Sequence, residues 1–233
     1  MNIALLTAGG KGTRMSLSLP KQFMTVNEKP IIIWTAEAFQ RHPSIDEIHI
    51  VCLEGWENHI FALAHDYGIT KFKSVIKGGR TNFESIKNGL LSLKNIHDRE
   101  DSDIVLVHDG NRPLVSEAMI SECLYTTQVH GNAVAVIPMT EVVYHVDGDN
   151  KVTVLNRDEL SRTQTPHGFS LGEAMKIIRL AELKGIRDAP ALCGLLVQLG
   201  GEPGLYNGSE RNFKITTQAD LEIFKSMVKG ERP

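Results

Sequence analysis

Glycines and cations in Thr7–Met15 (TAGGKGTRM) are the first residues along the chain that could do chemistry. The stretch follows a short apolar run at 3–6. Its three glycines have no side chains that would block the backbone N–H groups from surrounding a phosphate. Arg14 lies inside it, and Lys21 follows Pro20, whose ring restricts the backbone. Cations beside a glycine nest are typical of a polyphosphate site.

Known phosphate-binding signatures do not describe this loop. A Walker A pattern is absent, and Gly10-Lys11-Gly12 continues with Thr13 and Arg14 instead of completing a dinucleotide fingerprint. A tight strand-to-helix turn without a ligand, and a solvated Lys21, are therefore competing interpretations.

Asp109 and Arg112 form a second candidate pair in Val107–Pro113 (VHDGNRP). Asp109 ends a predicted strand, where a carboxylate is a natural Mg²⁺ ligand, either directly or through water. The alternative is that Asp109 caps the turn while Arg112 is exposed.

Two further loops carry polar residues at the ends of predicted strands. Gly78-Gly79 allows close approach of a planar ring, and Ser85 can bond a base edge, although its own helix could satisfy that hydroxyl. Lys214 precedes Thr216-Thr217, which resembles a helix N-cap.

Strands and helices alternate along the chain, and this alternation must position the loops. It predicts an α/β fold with a doubly wound, mostly parallel, Rossmann-like sheet, in which ligands bind beyond the carboxyl ends of the strands. The predicted strands are 3–6, 47–52, 72–76, 104–107, 133–137 and 203–206, and the predicted helices are about 30–39, 56–66, 81–94, 116–128, 170–184, 188–199 and 217–229.

Residues 140–166 interrupt the alternation. Apolar stretches at 142–146 and 151–155 flank the turn residues 147–150, which indicates an inserted β-hairpin. A hairpin with an open edge and little core needs a partner surface, so we interpret 140–166 as an arm at a homodimer interface.

Composition limits the possible functions. A length of 233 residues suits one large α/β domain or two small ones, and 42% apolar with 23% charged residues allows a full core to be buried. The net charge of −3 argues against non-specific nucleic-acid binding. No apolar run is long enough for a membrane span, and Met1-Asn2 leads directly into a strand, so no signal peptide is predicted. Cys52, Cys123 and Cys193 lack CxxC spacing, which favours free thiols in a cytoplasmic protein.

Taken together, these loops resemble the CTP-dependent cytidylyltransferases that act on methylerythritol phosphate or ribitol 5-phosphate. The resemblance spans nearly the whole chain in order. The matching motifs are Ala8-Gly9-Gly10-Lys11-Gly12-Thr13-Arg14-Met15, Pro20-Lys21-Gln22, Gly78-Gly79 with Ser85, His108-Asp109 with Arg112-Pro113, Arg157, Thr165-Pro166, and Lys214 with Thr216.

The resemblance implies one nucleotide-diphospho-sugar-transferase-like domain over 1–233 that moves CMP from CTP to a phosphorylated polyol and releases pyrophosphate. It implies that Arg14, Lys21 and Lys214 are catalytic and that Asp109 lies beside Mg²⁺ or another divalent cation. The implied nucleotide-binding residues are Thr7, Ala8, Gly9, Gly10, Lys11, Gly12, Thr13, Gly79, Ser85 and Asp109, and the implied acceptor residues are Arg112, Arg157, Thr165 and Thr216. Arg157, on the arm, is expected to reach the neighbouring subunit's substrate.

Some positions depart from the family pattern. Glu141-Val142 replaces Asp-Thr, Asn82 replaces an arginine, Ile186–Ala189 replaces an acidic motif, and His167 replaces a glutamine. Except for Asn82, these departures lie in the arm and the C-terminal region, so CTP is the firmer expectation and the acceptor the weaker one.

Ala8-Gly9-Gly10 and the C-terminal Lys214–Met227 favour D-ribitol 5-phosphate, giving CDP-ribitol for teichoic acid or capsule. The alternative acceptor is 2-C-methyl-D-erythritol 4-phosphate, of isoprenoid synthesis. A CTP-binding regulator without turnover is a hypothesis of another class. A Rossmann-type dehydrogenase is disfavoured because the acids of 45–47 precede the second strand instead of ending it.

Overall fold

The computed structural model describes residues 1–10, 20–189 and 191–230. The strands are β1 Asn2–Ala8, β2 Thr25–Val26, β3 Lys29–Pro30, β4 Glu47–Cys52, β5 Phe72–Lys77, β6 Ile104–Asp109, β7 Asn132–Pro138, β8 Val143–Val146, β9 Val152–Leu155, β10 Ser161–Ser170 and β11 Leu205–Asn207. The helices are α1 Ile31–Arg41, α2 Glu57–Asp66, α3 Asn82–Lys94, α4 Glu117–His130, α5 Leu171–Leu183, α6 Leu192–Gln198 and α7 Gln218–Met227.

A mostly parallel sheet organises the molecule. Within the described residues it has seven strands in the order β11-β7-β10-β6-β1-β4-β5, and β10 runs antiparallel to both of its neighbours. β1 lies between β6 and β4, with Leu5 opposite both Val107 and His49. The predicted α/β fold is confirmed, and the loops after β1, β5 and β6 lie at one edge of the sheet.

β10 corrects the predicted extent of the arm. Residues 161–166 were assigned to the arm, yet they form the first part of β10 and pair with β7, Ser161 opposite Pro138 and Gln164 opposite Ala135. This strand is not recognisable from the sequence pattern, because residues 161–165 are polar. Its first three residues are exposed, so they lack the alternation of apolar and polar residues that is typical of a strand.

Both faces of the sheet are covered by helices, as a doubly wound fold requires. Successive residues of β1 point to opposite faces, so Ala4 and Leu6 share one face and pack with α1 and α4. Ile3 and Leu5 pack on the other face with α3, α5 and α6. These two layers hold the strand ends, and therefore the loops that follow them, in fixed relative positions.

The C-terminal helix is attached through a separate apolar cluster. Phe224 of α7 meets Trp34 of α1 edge to face at 5.7 Å, and Ile215, before α7, is fully buried in the same cluster. This packing brings the segment with Lys214 back to the end of β6.

The predicted hairpin is present as β8 and β9, with Val143 opposite Leu155 and Val146 opposite Val152. Several of its apolar side chains are exposed: Tyr144 is 60% exposed and Val154 65%. Among the described residues, none of the helices has both the length and the apolar character needed to cross a bilayer.

Candidate active site

Two adjoining pockets lie between the ends of β1 and β5. Their volumes are about 80 and 280 Å³. The larger one is lined by Gly9, Gly10, Gly79, Arg80, Thr81, Asn82 and Ser85. A Cβ on Gly9 would lie 3.2 Å from the Ser85 hydroxyl oxygen, so the glycine backbone approaches that side chain closely.

Ser85 is held in one orientation at the base of this pocket. Its hydroxyl donates to the Thr81 carbonyl at 2.9 Å and accepts the Gly79 N–H at 3.0 Å. The Ser85 hydroxyl proton is therefore used within its own helix, as the alternative interpretation predicts. A hydroxyl oxygen has two lone pairs, so Ser85 can still accept one hydrogen bond from a ligand amine.

Gly78 and Gly79 are required by close packing at the start of α3. A Cβ on Gly78 would lie 2.8 Å from the Cys52 carbonyl oxygen, and one on Gly79 would lie 2.3 Å from Cγ of Glu84. Thr81 caps α3 by accepting the Glu84 N–H at 3.1 Å. These contacts direct the positive end of α3 toward the pocket.

Lys21 enters the smaller cavity from a short 3-10 turn, Lys21–Phe23. The Gln22 amide donates to the Ala8 carbonyl at 2.6 Å, and the Phe23 ring stacks on Trp56 at 4.4 Å. The side chain passes close to Gly10, whose added Cβ would lie 3.9 Å from Cε of Lys21. The contacts of the turn therefore hold Lys21 beside Gly9 and Gly10. Lys11, Gly12, Thr13 and Arg14 lie outside the described residues.

Asp109 holds two cations at the end of β6. Its Oδ1 accepts from Lys214 Nζ at 2.8 Å, and its Oδ2 from Arg112 Nε at 2.9 Å. Burial alone would raise the pKa of Asp109, but Lys214 and Arg112 outweigh it and hold that pKa well below its ordinary value. The carboxylate therefore remains charged, and the three groups together carry one positive charge. The alternative of an exposed Arg112 is wrong, since its side chain is 13% exposed.

Two asparagines that the sequence analysis did not select hold this cluster in place. Asn111 Nδ2 donates to the Ile215 carbonyl at 2.5 Å, and the Ile215 N–H donates back to Asn111 at 2.9 Å. Asn212 accepts from Arg112 through its carbonyl at 2.7 Å and donates from its amide to Thr165 at 2.8 Å. Both are buried, and their partners are distant along the chain, so no local sequence signal could have selected them.

A cavity of about 130 Å³ continues from Asp109 toward β10. Its lining residues are Thr7, Asn82, Ile86, Val107, Asp109, Arg112, Thr163, Thr165, His167, Ala191 and Lys214. Thr165 is anchored there because its hydroxyl accepts the Asp109 N–H at 3.1 Å. Thr7, Asn82, Asp109 and Lys214 also line the smaller of the two cavities between β1 and β5, so these spaces form one continuous cleft.

Two predicted acceptor residues lie away from the linings of these three cavities, as far as the described residues show. The Thr216 hydroxyl and N–H both donate to Asp220 at 2.8 Å, within the cap of α7. Arg157, at the base of the arm, donates to the Thr140 carbonyl at 2.8 Å and is about half exposed.

Two neutral imidazoles lie beneath the cleft. Burial lowers the pKa of His108 to about 3 and that of His167 to about 4. His108 Nε2 donates to the Arg112 carbonyl at 3.1 Å, and His167 Nε2 lies 3.7 Å from the Cys193 sulfur. Neither is a base suited to proton transfer at neutral pH.

These histidines predict a specific pH dependence of stability. In the unfolded chain both titrate near a pKa of about 6.5, so below that pH the unfolded state binds protons that the folded state does not. We expect the free energy of unfolding to fall by about 2–3 kcal/mol per unit between pH 6 and 5, measured by denaturant titration. His167→Gln should remove about 1 kcal/mol per unit of this slope, and a profile that stays flat to pH 5 would contradict the assignment.

The described residues offer too few ligands to hold a metal ion by side chains alone, but Asp109 could share a divalent cation with a phosphorylated ligand. No group of three His, Cys, Asp or Glu side chains that could hold a metal occurs in the described parts of the chain. Asp109 is one carboxylate with lone pairs beyond those used by Lys214 and Arg112. Mg²⁺ is commonly bound by one or two carboxylates together with substrate phosphates.

Comparison with known proteins agrees with this geometry. The family model described as "IspD: 2-C-methyl-D-erythritol 4-phosphate cytidylyltransferase" matches residues 2–229. The chain is 37% identical to a ribitol-5-phosphate cytidylyltransferase of Lacticaseibacillus paracasei, over 98% of each chain. It is 34% identical to a 2-C-methyl-D-erythritol 4-phosphate cytidylyltransferase of Clostridium acetobutylicum, again over 98% of each.

Solved structures show the same fold. The Francisella tularensis 2-C-methyl-D-erythritol 4-phosphate cytidylyltransferase superposes with a TM-score of 0.80 at 28% identity, over 97% of this chain and 98% of that one. From the match over nearly its whole length and the identity to both kinds of relative, the chain belongs to the IspD family of cytidylyltransferases.

Proposed function

We propose that the protein transfers CMP from CTP to D-ribitol 5-phosphate, releasing pyrophosphate and forming CDP-ribitol. The observation that carries this proposal is the continuous cleft, with a glycine-lined pocket at one end, the Asp109 cluster in the middle and a hydroxyl-bearing cavity at the other. The relatives named for ribitol 5-phosphate reach 37% identity, compared with 34% for the Clostridium enzyme named for the methylerythritol substrate.

The reaction requires charge stabilisation more than proton transfer. The second pKa of a phosphate monoester is about 6, so the acceptor oxygen is already ionised at neutral pH. That oxygen attacks the α-phosphorus of CTP, the bond to the β-phosphate oxygen breaks, and pyrophosphate leaves with the electron pair. Holding the two anions in line is the main task of the protein.

The cations of the cleft suit that task. Lys21 lies beside the glycine loop, where it would stabilise the triphosphate, and Lys214 lies at the junction of the cavities, where the α-phosphate would have to sit. Ser85 would accept from the amino group of cytosine, which uracil lacks. Bound Mg²⁺ would neutralise phosphate charge, and Asp109 would be its protein ligand.

An acceptor panel tests the proposal. The protein is incubated with CTP, Mg²⁺ and one of D-ribitol 5-phosphate, 2-C-methyl-D-erythritol 4-phosphate or glycerol 3-phosphate, and pyrophosphate release is followed. We expect the highest kcat/KM with D-ribitol 5-phosphate. CTP binding without release for any acceptor would contradict the proposal and favour a regulator.

The methylerythritol acceptor is the second candidate, and one observation favours it. Ile86, Val107 and Ala191 form an apolar part of the acceptor cavity that could cover a methyl branch. A preference for 2-C-methyl-D-erythritol 4-phosphate in the panel would establish that alternative.

The arm supports a homodimer. Its side chains Tyr144, Val146, Val152 and Val154 are all more than half exposed, an apolar surface that a monomer rarely leaves uncovered. In such a dimer the arm would place Arg157 near the partner's acceptor cavity. We propose a cytoplasmic location, where CTP is made, and a role for the CDP-polyol as activated donor in teichoic acid or capsule assembly.

Arg157→Ala tests the role of the arm. Loss of a charge-assisted hydrogen bond to phosphate should raise the acceptor KM roughly ten-fold or more, with little change in the KM for CTP. Arg41→Ala, an exposed arginine paired with Glu37, is the matched control. Equal changes in both KM values would show that Arg157 does not act at the acceptor site. A protein that sediments as a monomer would contradict the proposed dimer interface.

A further inference from the structure

Thr163 lies at the open end of the acceptor cavity, on the strand that the sequence pattern did not reveal. It is exposed, Thr165 is half-buried, and His167 is buried, so the three lining side chains of β10 pass from the mouth of the cavity to its floor. Gln164 lies between them but points away, since its amide donates to the Ser209 carbonyl at 2.9 Å.

The hydrogen-bonding capacity of these side chains differs. His167 is occupied by Cys193 and by the backbone of Gln164. The Thr165 oxygen accepts the Asp109 N–H, which leaves its proton for a ligand. Thr163 makes no side-chain hydrogen bond to any described residue, so its hydroxyl can both donate and accept.

Charge orients a ligand in this cavity. Arg112 and Lys214 lie at its inner end around Asp109, with a net charge of one positive unit, and this end attracts a phosphate. Alternate residues of a strand are about 7 Å apart on one face. The uncharged end of a phosphorylated polyol would therefore extend along β10 from Thr165 toward Thr163.

We propose that Thr163 is a specificity-determining residue that hydrogen-bonds the hydroxyl groups of the polyol farthest from the phosphate. This inference rests on the proposed function. It implies that the cavity selects acceptors by chain length: a linear pentitol phosphate reaches Thr163, whereas a three-carbon polyol phosphate does not.

Kinetics of Thr163→Val test the inference, because valine keeps the branched shape and removes the hydroxyl. We expect the KM for D-ribitol 5-phosphate to rise about three- to ten-fold, the range for one neutral hydrogen bond, with kcat and the KM for CTP unchanged. The kcat/KM for glycerol 3-phosphate should not change, so discrimination between the two acceptors should fall by the same factor. Thr163→Ser should restore the wild-type KM.

Thr70→Val is the control, since this exposed threonine accepts only from Gln40 and precedes β5, at the opposite edge of the sheet. An active wild-type enzyme whose acceptor KM is unaffected by Thr163→Val would overturn the inference and leave the proposed function standing. Wild-type protein that releases no pyrophosphate with any phosphorylated polyol would overturn both.

Discussion

Replacing Lys21 by alanine is expected to lower kcat on the order of 10³-fold, the cost of removing one positioned group that stabilises charge in the transition state. Lys21 lies beside Gly9 and Gly10 in the same cavity as Lys214, so its ammonium group would face the triphosphate. Its turn is held by the Gln22 amide and the Phe23–Trp56 stack, contacts that do not use the lysine side chain. The Lys21→Ala variant should therefore keep the fold, with a cooperative thermal unfolding transition.

Single-turnover pyrophosphate release measures this effect directly. Lys77→Ala is a matched control, because Lys77 is an exposed lysine paired with Glu54 at the end of β5. We expect that control to keep near-normal kcat. A Lys21→Ala variant with kcat within a few-fold of wild type would show that Lys21 has no catalytic role.

Asp109→Asn is expected to reduce both activity and stability. The neutral amide can no longer balance Lys214 and Arg112, and leaving the largely buried Arg112 without its partner should cost about 3 kcal/mol in the free energy of unfolding. We expect kcat to fall on the order of 10²-fold because Lys214 loses its alignment. Denaturant unfolding and steady-state kinetics measure the two effects.

Binding provides a further readout for Asp109. If the carboxylate contacts a divalent cation, Asp109→Asn should raise the Mg²⁺ concentration needed for half-maximal CTP binding, measured by calorimetry. Asp101→Asn, which breaks the exposed pair with Lys94, is the control and should change stability by less than about 1 kcal/mol. Unchanged unfolding in Asp109→Asn would show that the two cations need no counter-charge.

Much of the fold could be predicted from local patterns. The apolar runs of β1, β4 and β6 are nearly continuous because both faces of the sheet are covered, so they are recognisable without any alignment. β10 was missed because its outer part is polar and exposed, and because its pairing with β6 and β7 is non-local. The arm was accordingly predicted to be longer than the hairpin Val143–Leu155.

The candidate site likewise contains residues that local motifs reveal and residues that they do not reveal. Asp109, Arg112, Lys21 and Ser85 could be selected because each lies in a short motif after a strand. Asn111 and Asn212 could not, because their importance lies in hydrogen bonds to Ile215 and Thr165, which are distant in the sequence.

By itself, the sequence determined the order of strands and helices and the kind of chemistry that follows each strand, since residue type and spacing act over a few positions. Only the tertiary structure decided which of those residues meet. Lys214 reaches Asp109 across 105 positions because α7 packs on Trp34 and returns the chain to the end of β6. The acceptor cavity likewise exists only because β10 lies beside β6, a pairing that depends on the whole sheet.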